Sequence, residues 1–323
     1  MAQNVPFQTI VDTLLDDSKP FPARHLHRFS DLEPADLKTL LLAWPRIALR
    51  RKLNLLEDLE DLADADTLMS FENLARAIIT DTEAPIRAQA VRLLLEFPDE
   101  KLASLYIEFL NEDESQEVRA AAATTLGQFV YLGELDEIPT ALLRKVEDQL
   151  LLAAHTAESN IVRRRALESL GYSGRQEVNA LIDEAYHNAD PEWLASALFA
   201  MGRSSDPRWS KQVVSKLLAQ NEKVRLEAVR AAGELSLKSA RAPLLDLIED
   251  EEEPEIRQQI VWALSKIGGE GVRARIEELL DVEPDDEETE FLENALDNLT
   301  FTEDLSHFDM FDFDTDEEAA EEE

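Results

Sequence analysis

Apolar residues recur along most of this chain at intervals of three and four, the spacing that places them on one face of an α-helix. In the clearest run, apolar Val118 is followed by Arg119 and, at the fourth position after it, by Ala122. We call the first residue of such a run its anchor. Anchors stand at Ile86, Val118, Val162, Trp193, Val224 and Ile256.

The anchors lie 32, 44, 31, 31 and 32 residues apart. Five of the six are followed by Arg, and five of the six have Ala at the fourth position after them. An interval of this size is typical of a solenoid, in which each helical pair buries its apolar face against neighbouring pairs. The pattern therefore predicts an all-α repeat protein, with a first helix, a polar turn and an anchor helix in each unit.

The turns agree in register with the apolar pattern. Three residues before each anchor stands a residue that is mostly of a type whose side chain accepts hydrogen bonds at a helix start: Glu83, Ser115, Ser159, Asp190, Asn221 and Glu253. Three of these are followed closely by Pro, whose missing N–H is harmless there. Gly stands nine residues after four of the anchors, where it either relieves a close approach or ends the helix: Gly127, Gly171, Gly202 and Gly233.

The ends of the chain depart from this regularity. Apolar positions predict a capping helix over 7–15, then helices over 35–44 and 46–62 that form a divergent first repeat. We predict three regions: a cap with the divergent repeat over 1–66, a regular array of helical repeats over 67–300, and a tail over 301–323. About a dozen extra residues, centred on 131–139, predict a longer connection and a longer first helix over 140–154; a functional loop and a tolerated elongation both fit.

The Arg after the anchor, the Ala at the fourth position and the closing Gly resemble HEAT-like repeats of the phycobilisome-lyase type, over roughly residues 86–299. The resemblance implies a right-handed α-solenoid of about eight helical pairs, with the anchor helices on the concave side and the repeated Arg bracing adjacent turns. Trp193-Leu194 and Ile260 depart from the pattern, which puts the bracing at the fifth regular turn in doubt.

Charge and composition limit the function. The formal charge is -37, and 20 of these negative charges fall in 281–323, where no Lys or Arg occurs. Such charge repels phosphate backbones, so nucleic acid is disfavoured as a ligand of the whole chain. Residues 19–52, with eight Lys or Arg against three acids, keep open a local basic site. Without Cys, disulfides and thiolate sites are excluded, and the lack of a leader or a long apolar run predicts a cytoplasmic protein without a membrane segment.

Positions two and six after each anchor point away from the core positions and define a predicted binding strip. Aromatic and Arg side chains on such a face are the types that carry binding energy in interfaces; burial against neighbouring turns is the alternative. The candidate partner-binding residues are Phe199, Leu226, Arg230, Trp262, Arg164 and Arg92. We interpret Trp44 and Trp209 as packing residues.

Other residues are weighed for chemistry. The Arg residues after the anchors could form an anion ladder, but the pattern favours pairing with turn carboxylates and carbonyls. His25 and His27 point to different sides of a helix, so no metal site is predicted. The HEAT-type deoxyhypusine hydroxylases carry repeated His-Glu pairs, and no His here is followed by Glu. HEAT-like DNA glycosylases need a basic groove, which the charge opposes. No cofactor is expected.

The tail alternates aromatic and acidic residues and is predicted to be disordered, since like charge outweighs its few apolar groups. It is interpreted as a docking motif for a basic partner or for residues 19–52, or as a solubilising tail. Its candidate motif residues are Phe301, Leu305, Phe308, Phe311 and Phe313.

The sequence predicts a monomeric, non-catalytic scaffold or adaptor that binds a protein partner through its strip. The alternatives are an accessory enzyme or chaperone of the bilin-lyase type, and nucleic-acid binding through the basic N-terminal region.

Overall fold

The structure is a computed structural model that describes residues 5–282 and 284–318, with side chains up to residue 304. Its helices fall into two compact units, 1–170 and 171–323. Unit 1 contains α1 Phe7–Leu15, α2 Pro34–Ala43, α3 Leu49–Ala65, α4 Glu72–Ile78, α5 Ala84–Leu93, α6 Glu100–Glu112, α7 Gln116–Glu134, α8 Thr140–Thr156 and α9 Asn160–Leu170. Unit 2 contains α10 Gln176–Tyr186, α11 Pro191–Arg203, α12 Ser210–Val214, α13 Glu222–Glu234, α14 Arg241–Asp250, α15 Pro254–Ile267, α16 Val272–Leu280 and α17 Asp286–Glu318.

The predicted all-α fold is confirmed, and the described residues contain no strand. After the capping helix α1, helices α2 to α17 form eight consecutive pairs, four in each unit. Every anchor lies in the first turn of the second helix of its pair. No helix in the described ranges combines the length and apolarity needed to cross a membrane. The predicted regions 1–66, 67–300 and 301–323 were separated by how regular the repeat is. The two compact units do not test those boundaries, which stay predictions.

The starts of the anchor helices follow the predicted chemistry. The side chains of Ser115, Asp190 and Asn221 accept from backbone N–H groups of the first turn. Glu83 and Glu253 occupy the same position without a side-chain bond, and each precedes a Pro in the first turn. The side chains of Ser115, Asp190 and Asn221 bind backbone N–H groups that have no partner within the helix. These residues therefore fix where their helices start.

The second helices of successive pairs stack on one another within each unit, α5 on α7 and α7 on α9, then α11 on α13, α13 on α15 and α15 on α17. Glycines permit a close approach. A Cβ placed on Gly202 would lie 3.0 Å from the Ala231 Cα, and one on Gly233 would lie 2.8 Å from the Ala263 Cα. In unit 1, a Cβ on Gly127 would lie 2.8 Å from the Ser169 Oγ. The glycines nine residues after the anchors therefore permit a close approach between helices. This is the first of the two roles that the sequence allowed for them.

The residues inserted near 131–139 take a form that the sequence did not predict. The connection is only five residues long, because α7 itself runs on to Glu134 and reaches 19 residues. The predicted long first helix, α8, is confirmed. The added turns of α7 pack on α8, where a Cβ on Gly133 would lie 2.6 Å from the Leu143 Cδ1. Helical hydrogen bonds and this packing satisfy the inserted backbone better than an open loop would.

The N-terminal cap is built as predicted. Phe7, Ile10, Val11 and Leu14 of α1 are buried. Trp44 and Trp209 are packing residues, with 6% and 4% of their surface exposed. The Trp44 indole also donates to the Asp81 carboxylate at 2.8 Å, which ties the divergent first pair to the turn before α5.

We predict that Gly233→Ala destabilises the protein by about 1–2 kcal/mol, although Ala is the better helix former by about 1 kcal/mol. The added methyl group would meet the backbone of α15, which cannot move aside without separating two anchor helices. Urea unfolding followed by circular dichroism measures the change.

Gln258→Ala, at an exposed position of α15, is the control, because it introduces Ala into the neighbouring helix without placing a methyl group against another backbone. It should cost clearly less than Gly233→Ala. A Gly233→Ala protein as stable as the wild type would show that the close approach of α13 and α15 is not a constraint.

Candidate functional site

Three of the predicted strip residues, Phe199, Arg230 and Trp262, lie at the sixth position after the anchors of α11, α13 and α15. All three are half-buried, so part of each remains at the surface of unit 2. Arg203, four residues after Phe199 on α11, lies over the Phe199 ring, with its Cζ 4.1 Å from the ring centroid. The same guanidinium lies 4.7 Å from the centroid of Tyr172. Arg203 therefore contacts two aromatic rings, a contact worth about 0.5–2 kcal/mol for each ring.

A second guanidinium approaches Phe199 from the next anchor helix. The Arg230 Cζ lies 5.8 Å from the Phe199 centroid. Its Nη1 donates to both oxygens of Glu227, at 2.9 and 3.0 Å, three residues earlier on α13. This pairing holds the Arg230 side chain in place over the ring.

These side chains surround a cavity of about 220 Å³ in unit 2. Gly202 and Ala231 lie among its lining residues, at the point where α11 and α13 approach most closely. Tyr172, Phe199, Arg203, Arg230 and Glu234 complete the lining. A cavity of this size is below the range of about 300–1,000 Å³ that holds small-molecule ligands. It has room for one side chain of another macromolecule.

A further pairing of a ring with a cation lies on α15. The Lys266 Nζ lies 5.9 Å from the Trp262 centroid and 2.8 Å from the Glu234 Oε1 of α13. Aromatic rings and cations thus alternate along the exposed sides of α11, α13 and α15. We call Tyr172, Phe199, Arg203, Arg230, Trp262 and Lys266 the aromatic–cation row.

Half of this row was missed by the sequence analysis. Tyr172, Arg203, Glu234 and Lys266 stand at the tenth position after their anchors, one helical turn beyond the sixth. Residues four apart share a face of a helix, so extending the pattern from the sixth to the tenth position would have found them.

The second position after the anchor, by contrast, was a poor guide to the surface. Ala88, Ala120 and Ala195 are buried, with at most 9% of their surface exposed. Glu168, at a sixth position, is also buried and pairs with Arg165 on its own helix. Within each unit the second helices of successive pairs pack side by side, α7 between α5 and α9 and α13 between α11 and α15. Neighbours on both sides leave only a narrow stripe of such a helix facing solvent.

The remaining candidates are distributed over both units. Leu226 is half-buried on α13 in unit 2, and Arg164 is half-buried on α9 in unit 1. Arg92 is exposed on α5 in unit 1, where its Nε lies 3.5 Å from the Glu60 carboxylate. Arg92 and Arg164 therefore lie in unit 1, whereas the aromatic–cation row lies in unit 2.

The candidate tail motif lies mostly beyond the described side chains. Phe301 is 63% exposed on α17. Leu305, Phe308, Phe311 and Phe313 lie outside the residues whose side chains are described, and 319–323 lie outside the described backbone. The helix α17 runs to Glu318. The role of the tail stays a prediction.

The repeated Arg residues have the structural role that the sequence favoured. Arg87 binds the Asp113 carboxylate through Nε and Nη2 at 2.9 and 3.0 Å, and also donates to the Asp81 carbonyl. Arg225 binds Glu251 in the same way, at 2.6 and 3.1 Å, and donates to the Ala219 carbonyl. In both cases the carboxylate follows the first helix of the next pair. Each Arg therefore clamps two successive turns.

The remaining Arg residues differ from these two in their partners. Arg163 and Arg257 donate to the backbone carbonyls of Ala154 and Glu251. For Arg119 the position equivalent to Asp113 is Ala157, and the buried Arg119 Nε has no hydrogen-bond partner among the described residues. Ala157 has nearly the same backbone angles as Asp113, φ -59° and ψ 138° against φ -64° and ψ 134°.

The basic N-terminal segment is partly used within unit 1. Arg51 donates to the Asp16 carbonyl at 2.9 Å, and Arg28 donates to the Val5 carbonyl at 3.1 Å. The Lys52 Nζ lies 5.0 Å from the Trp44 ring centroid, and Lys52 is buried. These three cations stabilise the cap, which leaves fewer of the eight basic residues for a phosphate backbone.

The fold and its surface define a helical-repeat protein, with Arg–carboxylate clamps between turns and an aromatic–cation row on the anchor helices of one unit. The sequence profile of the family described as HEAT repeats matches residues 71–145 and 210–296, together half of the chain. The chain therefore belongs to the HEAT-repeat family.

Several solved structures align with this chain at low sequence identity. The complex of CpcE and CpcF of phycocyanin lyase from Nostoc sp. PCC7120 aligns with a TM-score of 0.47 and 16% identity, covering 71% of this chain and 94% of that chain. Human deoxyhypusine hydroxylase aligns with a TM-score of 0.35 and 19% identity, covering 81% and 95%. At these values the likeness carries no argument about activity. A search of curated proteins finds no match.

We predict that Glu251→Gln destabilises the protein in a pH-dependent way. Burial alone would raise the pKa of Glu251, but hydrogen bonds from Arg225 and from backbone amides outweigh it and hold the pKa below its ordinary value of 4.5. Because the folded pKa is the lower one, the stabilisation is complete above about pH 4.5 and is lost as the pH falls through the lowered value.

Urea unfolding should therefore show Glu251→Gln to be about 1–3 kcal/mol less stable than the wild type near neutral pH. The difference should vanish in strong acid, near pH 2. Glu249→Gln, in an exposed pair at 3.5 Å from Arg275, is the control and should change stability by less than about 0.5 kcal/mol. A Glu251→Gln deficit of equal size at both pH values would contradict the ion-pair explanation.

We also predict that Ala157→Asp stabilises the protein by about 0.5–1.5 kcal/mol, because the new carboxylate completes the clamp on Arg119. Thermal or urea unfolding measures the gain. Ala157→Asn, which keeps the turn geometry without the charge, is the control and should give less. Ala157→Asp should also lose its advantage in an Arg119→Gln background; an unchanged gain there would attribute the effect to the turn alone.

Proposed function

We propose that this protein is a non-catalytic scaffold or adaptor that binds a protein partner on the aromatic–cation row of unit 2. The single observation that carries the proposal is Phe199, half-exposed between the guanidinium groups of Arg203 and Arg230 beside a cavity of about 220 Å³. Aromatic and Arg side chains dominate the binding energy of interfaces when a partner excludes water from them.

The chemistry of the row favours a protein as the partner. Its cavity fits one inserted side chain, while the half-buried rings of Tyr172 and Trp262 provide flat apolar surface on either side. The guanidinium groups are already held by rings or by Glu227, so little side-chain entropy is lost when a partner binds. Aromatic rings flanked by Arg side chains that are already fixed suit a protein interface, which has an apolar centre and a polar rim.

The test is affinity capture with the full chain and with a triple variant, Phe199→Ala, Leu226→Ala and Trp262→Ala. Removal of central interface anchors lowers affinity by about tenfold or more. Partners captured by the wild type should therefore be lost with the triple variant, as measured by quantitative mass spectrometry and then by titration of each purified partner.

The matched control is Leu218→Ala with Val282→Ala, which removes exposed apolar side chains of the same unit, 72% and 79% exposed, outside the row. The control should keep the partners, and both proteins should unfold at similar urea concentrations. If the triple variant captured the same partners as the wild type, the row would not be the binding surface.

The accessory-enzyme or chaperone alternative of the bilin-lyase type and nucleic-acid binding through residues 19–52 stay hypotheses. The contacts of Arg28, Arg51 and Lys52 within unit 1 weigh against the second of these.

A further inference from the structure

Unit 2 contains a second and larger cavity, of about 830 Å³, outside the aromatic–cation row. It opens between the turn that joins α14 to α15 and the first turns of α17. Its apolar lining consists of Ile248, Pro254, Val261, Leu279, Phe291 and Leu292. Leu279 and Phe291 are half-buried, so they present apolar surface that the fold itself does not cover.

The rim of this cleft is strongly acidic. Seven of its lining residues are Asp or Glu, and one is Arg. Glu251 is paired with Arg225, and Glu249 lies 3.5 Å from the Arg275 guanidinium. The other five, which include Glu252, Glu287 and Glu288, form no ion pair within the residues that the structure describes. These five carboxylates repel one another. Salt weakens this repulsion but does not remove it, because the carboxylates lie close together on one concave surface.

We propose that this cleft is a docking site for a basic amphipathic segment of a partner protein, with Lys or Arg beside an aliphatic or aromatic side chain. The volume lies in the range of about 300–1,000 Å³ found for built ligand pockets, room for several side chains. Carboxylates alone would make only a solvated acidic surface. The apolar floor adds the requirement for an apolar side chain between the cations.

Charge complementarity selects the occupant. The whole chain carries a formal charge of -37, which attracts a cationic segment from a distance and repels an anionic one. A cationic segment relieves the repulsion among the five unpaired carboxylates, and its apolar side chain covers Leu279 and Phe291. This site goes beyond the proposed function, because it uses other residues and a partner of defined charge.

The test uses two fluorescent peptides of about a dozen residues and equal charge, one of Lys and Leu in amphipathic helical order and one of Lys and Ser. Anisotropy titrations are made with the full chain near physiological ionic strength. The Lys/Leu peptide should bind at least about tenfold more tightly than the Lys/Ser peptide. Equal affinity for the two, or no binding of either, would overturn the proposal.

Charge reversal then locates the site. Glu252→Lys with Glu287→Lys changes two exposed rim residues, and Glu108→Lys with Glu112→Lys makes the same change on exposed residues of α6 that do not line the cleft. The cleft variant should bind the Lys/Leu peptide at least about tenfold more weakly, against less than about threefold for the control. Equal losses would show attraction to the overall charge only and would overturn the proposal.

Two further measurements keep the results separate. Circular dichroism and urea unfolding establish that both double variants fold like the wild type. The Phe199→Ala, Leu226→Ala and Trp262→Ala protein should bind the Lys/Leu peptide as the wild type does, because the row and the cleft share no lining residue. Failure of the cleft would therefore leave the function proposed for the row untouched, and the reverse also holds.

Discussion

The close approach of neighbouring anchor helices is the constraint on which both units depend. At Gly202 and Gly233 the backbone of one helix lies against the backbone of the next, at Ala231 and Ala263. No side chain separates the two helices at these points. Helices held this near need their turns aligned. The Arg87–Asp113 and Arg225–Glu251 clamps supply that alignment, because a bidentate pair specifies geometry as well as energy.

The same constraint shapes the surface. An anchor helix with a close neighbour on either side exposes only a narrow stripe. In unit 2 this stripe holds the sixth and tenth positions of α11, α13 and α15, while the small residue Ala195 at the second position is covered. Large side chains at those positions reach across to the next helix. Arg230 of α13 over Phe199 of α11, and Lys266 of α15 on Glu234 of α13, are contacts of this kind. The aromatic–cation row is therefore a product of the tight stacking below it.

Charge is divided between two tasks. Arg and carboxylate groups in the turns neutralise one another and stabilise the repeat, while carboxylates without such partners surround the cleft between α14–α15 and α16–α17. The row, with its three cations and three rings, differs from the acidic rim of that cleft. Two surfaces of opposite character in one unit suit a protein that holds more than one partner segment.

The sequence by itself determined the helical repeat, its register and its turn chemistry, because the anchor interval and the caps at Ser115, Asp190 and Asn221 depend on residues close together in the chain. It also supplied Phe199, Arg230 and Trp262 as surface candidates. Only the tertiary structure decided that Ala88, Ala120 and Ala195 are buried, that the Arg203 guanidinium lies over the rings of Tyr172 and Phe199, and that α7 absorbs the insertion. Those outcomes depend on the distance between neighbouring helices, which is set by contacts some 30 residues apart and leaves no periodic signal within one helix.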